Sequence, residues 1–253
     1  MKINTNLKAL GVATTMLTGL VLGGSVTSYA ANGGVYDSKA IIEFKPADNI
    51  ITPPVDPTDP GNPGPIDPID PTDPNGPKPG TPGPLSIDYA SSLDFGKPKI
   101  TSTNQVYKAK AQQFKKESRG DGPNYVQVTD SRGTEEGWSL QVKQDGQFKS
   151  TSGKLLTGAE ITFNKAWVNT VSTSPKPSIA KSSFSLKPDG TGVAENIMSA
   201  KAGEGSGTYV LVFGDDNTAA DSIELSVPGS TTKYAEKYAT SLTWTLTDVP
   251  GQE

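Results

Sequence analysis

The 253-residue chain contains no histidine and no cysteine, and only three methionines. Without histidine there is no Ser-His-Asp or Cys-His catalysis, no histidine-bearing zinc site and no imidazole pH switch. Without cysteine there is no thiolate nucleophile, no Cys-based zinc site and no disulfide framework. Neither sign of charge dominates: 23 Lys and Arg face 27 Asp and Glu, a formal charge of −4. A mildly acidic chain lacks the basic face that phosphate contacts need, so nucleic acid is not an expected partner. No cofactor is expected either.

The N-terminus reads as an address. Lys2 and Lys8 supply a positive start, Ala9 to Gly24 is uncharged and apolar, and Ser28 and Ala30 precede Ala31 as small residues. This is the pattern of a secretory signal peptide over residues 1–30. Gly and Thr interrupt the run, which falls short of the ~20 strongly apolar residues of a membrane span. The mature chain is expected to start at Ala31 with no span, and to carry 21 positive and 27 negative groups. Pro250–Glu253 shows no sorting motif or hydrophobic tail, so the expectation is secretion without a covalent anchor.

What is abundant is proline. Thirteen of the 21 prolines fall between Pro53 and Pro84, and Asp-Pro recurs at Asp56, Asp59, Asp67, Asp70 and Asp73. Proline removes backbone donors and holds φ near −65°, which excludes helix and central strand. The expected state of residues 52–84 is extended polyproline II, about 33 residues reaching roughly 100 Å as a spacer, or else a long surface loop. Ahead of it, residues 31–51 carry Ala40-Ile41-Ile42-Glu43-Phe44. Ile42 and Phe44 share one face, and the segment is expected to add a strand to the downstream sheet.

From Leu85 to Glu253 short runs alternate with period two. Val126 and Val128 share a face, as do Trp138, Leu140 and Val142, then Ile161 and Phe163. Tyr209, Leu211 and Phe213, Ile223, Leu225 and Val227, and Leu242, Trp244 and Leu246 repeat the pattern. Arg132-Gly133, Asp145-Gly146, Asp189-Gly190 and Pro228-Gly229 punctuate them. Such alternation predicts an all-β domain, an antiparallel β-sandwich or barrel, preceded by the extended Pro/Asp segment. Residues 233–240 are compatible with one helical turn.

Two short words stand out, Gly137-Trp138-Ser139-Leu140 and Leu242-Thr243-Trp244-Thr245-Leu246, with Leu93-Asp94-Phe95-Gly96 upstream. Together with the signal and the Pro-rich tract, this order resembles the WxL-domain proteins of low-GC Gram-positive bacteria. The resemblance implies non-covalent attachment to the cell wall, with peptidoglycan or other wall polymers as ligand and membrane-anchored WxL-interacting proteins as partners. Read from the residues alone, Trp138, Leu140, Trp244 and Leu246 are either core or an apolar shelf for a sugar face. Trp167, outside both motifs, is as good a candidate for surface stacking.

Other chemistry is thin. Lys108, Lys110, Lys115, Lys116 and Arg119 form a local basic excess that would suit anionic wall polymers or be a solvated face. Asp215-Asp216-Asn217 with Asp221 lacks the spacing of a calcium loop and reads as a turn. Glu135-Glu136 offers carboxylates, but a glycosidase needs a pair set roughly 5–10 Å apart across a cleft. The expectation is a secreted, non-enzymatic wall-binding protein whose residues 85–253 suffice for retention. The alternative is an adhesin for a host or partner protein, with the WxL domain as anchor.

Overall fold

The computed structural model describes residues 35–48, 50–62, 64, 66–186 and 194–249. The expected signal peptide, the Asp189-Gly190 turn and Pro250–Glu253 lie outside the described residues. The chain divides into two units, Met1–Glu43 and Phe44–Glu253. In the first, residues 35–43 carry neither helix nor strand, and Val35, Tyr36, Ile41 and Ile42 are exposed. Phe44, which opens the second unit, is likewise exposed and outside any strand, so the strand expected over Ala40–Phe44 is not formed. Ordering five backbones costs about 1–2 kcal/mol each. Burying Ile42 and Phe44 returns only about 1.5–3 kcal/mol each.

The second unit is all-β and sandwich-like. Its strands are β1 (Leu85–Ala90), β2 (Gln105–Lys108), β3 (Asn124–Asp130), β4 (Trp138–Gln144), β5 (Lys149–Ser150), β6 (Glu160–Phe163), β7 (Ala166–Asn169), β8 (Ile179–Ala180), β9 (Phe184–Ser185), β10 (Glu195–Ala200), β11 (Gly207–Phe213), β12 (Ile223–Val227), β13 (Tyr238–Ala239) and β14 (Leu242–Thr247). They form antiparallel sheets in the orders β1-β3-β11-β7, β14-β4-β10-β8 and β2-β12-β6-β9, with a β13-β5 ribbon. The alternation predicted from sequence supplies one shared core: Val126 and Val128, Leu140 and Val142, Ile161 and Phe163, Leu211 and Phe213, Ile223 and Leu225. Phe163 joins the sheets. Its ring stacks on Phe184 at 4.7 Å, meets Phe213 at 4.8 Å and faces Trp244 edge-on at 6.4 Å. Residues 233–240 form no helical turn. The Glu236 carboxylate accepts bonds from Thr151 and Ser152, and Tyr238 pairs with Ser150 instead.

β3 departs from the half-buried pattern: all seven of its residues are buried. Val126 and Val128 face the main core, while Tyr125 joins a second cluster with Ile66, Tyr89, Phe114, Val210 and Val212. Ile66 comes from the proline tract, and Val55 packs alongside. The tract is therefore a surface layer over the first sheet and not a spacer. Its chemistry explains how it docks. A proline-rich backbone offers carbonyls but few N–H groups, so the surface beneath supplies the donors. Gln127 Nε2 donates to the Pro53 carbonyl at 3.1 Å, Asn169 Nδ2 to Pro57 at 2.9 Å and Gln112 Nε2 to Ile69 at 2.8 Å. In return the Val55 N–H donates to Gln127 Oε1 at 2.8 Å.

A short backbone bridge joins Pro68 to Phe114, with Ile69 N–H donating to the Gln113 carbonyl and Lys115 N–H to that of Asp67. Gly80 then passes so close to β1 that a Cβ would lie 2.7 Å from the Asp88 carbonyl oxygen. The Asp-Pro repeats shape the turns. Because proline has no N–H, three of the five carboxylates cap the residue beyond it: Asp56 accepts from Thr58, Asp70 from Thr72 and Asp73 from Asn75.

A β-bulge in β1, between Ile87 and Tyr89, turns both Asp88 and Tyr89 towards this layer. Asp88 is buried and accepts from Ser86, Gln127 and Thr129 at 2.6, 2.9 and 2.6 Å. Burial pushes its carboxyl above the usual range, against the pull of those bonds. A carboxyl raised on folding favours the fold most below its unfolded value, and that contribution is lost as pH rises through the folded value. Asp88→Asn has no such titration. As pH rises from about 4, the stability difference should therefore move in favour of the variant until the folded carboxyl has ionised, as read by denaturant melts. A difference independent of pH would show that Asp88 titrates normally.

Candidate functional site

The two Trp-x-Leu motifs lie on neighbouring antiparallel strands. Across β4 and β14, Trp244 is opposite Val142 and Leu246 is opposite Leu140. Opposed residues project from the same face, so both motifs point into the core. Trp138 and Leu140 are 0% exposed. The Trp138 indole donates to the Gly205 carbonyl at 2.9 Å, and its ring lies 6.1 Å from that of Tyr209. Gly205 sits at φ +80°, where a Cβ would come within 2.6 Å of the indole nitrogen. Trp244 and Leu246 are half-buried against the same core because β14 is an edge strand. The motif pair is thus a cross-strand element of the core.

The basic excess is largely neutralised. Lys108 pairs with Glu224, and Lys110 with Asp94 at 2.7 Å. Arg119 lies between Asp56 at 2.5 Å and Asp216 at 2.9 Å. Burial opposes its charge, but the two carboxylates outweigh burial and its pKa rises. Lys115 and Lys116 are exposed and have no ion pair among the described residues. The Leu93–Gly96 word is a turn: Asp94 accepts from the Gly96 N–H at 2.8 Å and from Lys110, which holds its carboxyl below the usual range.

The remaining carboxylates are committed locally. Asp215 accepts from Asn217 and Thr218 in a turn, and Asp216 pairs with Arg119. Glu135 accepts from Ser174 and Glu136 lies 3.8 Å from Arg132. No cluster of three or more metal-ligating side chains occurs among the described residues.

One polar cleft, of about 270 Å³, opens where the tract meets the 116–119 turn; its walls include Asp56, Thr58, Asn62, Lys116, Arg119 and Asp216. Reading the sequence for motifs misses Thr58 and Asn62, which sit in what looks like a spacer. It also misses Gln112, Gln127 and Asn169. The available signal was the uncharged, carboxamide-bearing outer face of Tyr125-Gln127-Thr129, together with the aliphatic Ile66 and Ile69 within the tract.

The domain is thus all-β, with its two signature tryptophans on neighbouring strands and a polar cleft on its surface. The model of the WxL domain surface cell wall-binding family matches residues 31–250. The chain belongs to that family, one of non-enzymatic binding domains at the cell-wall surface. No curated protein and no solved structure matches the chain. No helix among the described residues is long and apolar enough to cross a membrane.

Proposed function

We propose that the protein is secreted and held non-covalently on the Gram-positive wall by binding peptidoglycan. Family membership supports attachment to the wall. The observation that carries the ligand class is the compensation of charge on Lys108, Lys110 and Arg119. A patch in which three of the five cations are already paired, leaving only Lys115 and Lys116 without an ion pair among the described residues, offers less to polyanions than the sequence suggests and more to a neutral polymer. The test is retention of the mature chain on purified walls at low and high salt. Exposed charge contacts are screened beyond about 8 Å at physiological salt, so equal retention at both is expected. Release by salt would point to anionic wall polymers instead.

A second reading, attachment to a protein partner, has one observation in its favour. Val35, Tyr36, Ile41, Ile42, Phe44, Ile50 and Ile51 are all at least half exposed. Membrane-anchored WxL-interacting proteins and host proteins are the partners this reading offers. A chain lacking residues 31–45 that still binds walls but loses a protein partner would support it.

A further inference from the structure

Trp167 lies on β7, the edge of the first sheet, opposite Val212. Val212 belongs to the outer cluster beneath the tract, so Trp167 projects from that same face. Its indole N–H donates to the Gly214 carbonyl at 2.7 Å, which fixes the ring, and 38% of the residue is exposed.

Two links lead from it towards the cleft. Gly214 is two residues from Asp216, a cleft wall. Asn169, two positions along β7 and so about 7 Å from Trp167, donates to Pro57, which sits between the cleft residues Asp56 and Thr58. The cleft's own charges cancel, Lys116 and Arg119 against Asp56 and Asp216. Its 270 Å³ falls below the range of roughly 300–1,000 Å³ for pockets that enclose a whole small ligand. Such a site suits one unit of a polymer that continues over the surface.

Resting on the wall-binding reading above, we propose that the cleft and Trp167 form a subsite for one sugar ring of the wall glycan. The electron-rich indole face attracts the C–H face of the sugar, whose hydrogens carry partial positive charge. Carboxylate, amide and hydroxyl groups of Asp216, Asn62 and Thr58 meet its hydroxyls. This subsite is separate from the Trp-x-Leu motifs, whose side chains are spent on the core. It also gives the docked tract a role, since Asp56, Thr58, Asn62, Gly64 and Ile66 build one wall of the cleft.

The experiment measures binding of the mature chain to sacculi stripped of covalently attached polymers. Trp167→Ala and Asn62→Ala are each expected to weaken binding about tenfold, and Trp167→Phe to restore most of the loss. Asn62→Ala removes no side-chain hydrogen bond among the described residues, so its melting temperature should be unchanged and it carries the test if Trp167→Ala fails to fold. Titration with N-acetylglucosamine oligomers should shift the Trp167 indole resonance. Wild-type retention matched by both variants would overturn the subsite and leave the wall-binding reading intact. Failure of the wild type on all wall preparations would overturn both. Binding that disappears once anionic polymers are stripped would overturn the sugar assignment in favour of a phosphate polymer.

Discussion

A chain beginning at Leu85 will be far less stable than one beginning at Phe44, although all fourteen strands among the described residues are retained. Removing the tract takes away Ile66 and Val55 and uncovers Tyr89, Tyr125, Val210 and Val212, all otherwise in one buried cluster. Each fully buried side chain of this size contributes about 1.5–3 kcal/mol. Gln112, Gln127 and Asn169 would each lose a carbonyl partner, worth about 1 kcal/mol apiece. Release of the tract returns some chain entropy, but proline has little to return because its φ is preset. The net loss should be roughly 5 kcal/mol, a large share of the 5–15 kcal/mol typical of a domain. Thermal melts and dye binding to exposed apolar surface check this. Equal melting temperatures for the two chains would mean that the tract merely rests on the sheet. If the loss is as large as expected, a retention assay on residues 85–253 alone reports unfolding and not ligand contact.

Trp138→Ala should cost about 3–5 kcal/mol, the range for truncating a buried aromatic. The ring has no exposed surface, and its loss orphans the Gly205 carbonyl as well as opening a cavity beside Tyr209. Trp244→Ala should cost clearly less. It lies on an edge strand, is only half-buried, and leaves Phe163 its stacked partner Phe184. Chemical denaturation of both variants checks the ranking. A Trp138 variant with wild-type stability but no wall binding would move that motif from core to ligand contact.

The alternation of Trp138, Leu140 and Val142, and of Leu242, Trp244 and Leu246, is legible without a structure because side chains on a strand alternate with period two. That β14 pairs with β4, setting Leu246 against Leu140, is not legible. Pairing between strands about a hundred residues apart depends on how the sheets close, and local pattern carries no record of it. The basic excess near Lys108 shows the same limit. The cations are evident in the chain, but their partners Glu224, Asp94 and Asp216 come from elsewhere in the fold.

The sequence by itself determined the all-β class, the absence of imidazole and thiol chemistry, and membership in a wall-binding family. The first two rest on composition and short-range periodicity, and the third on the Trp-x-Leu words and the family match over residues 31–250; all three are properties of the chain alone. Only the tertiary structure decided that the proline tract is a layer of the domain. It also decided that a bulge turns Asp88 and Tyr89 beneath that layer, and that Trp167 stays partly exposed while Trp138 is enclosed. Proline dictates an extended backbone with free carbonyls. Whether those carbonyls meet water or the amides of Gln112, Gln127 and Asn169 depends on donors that the folded sheet brings to one face.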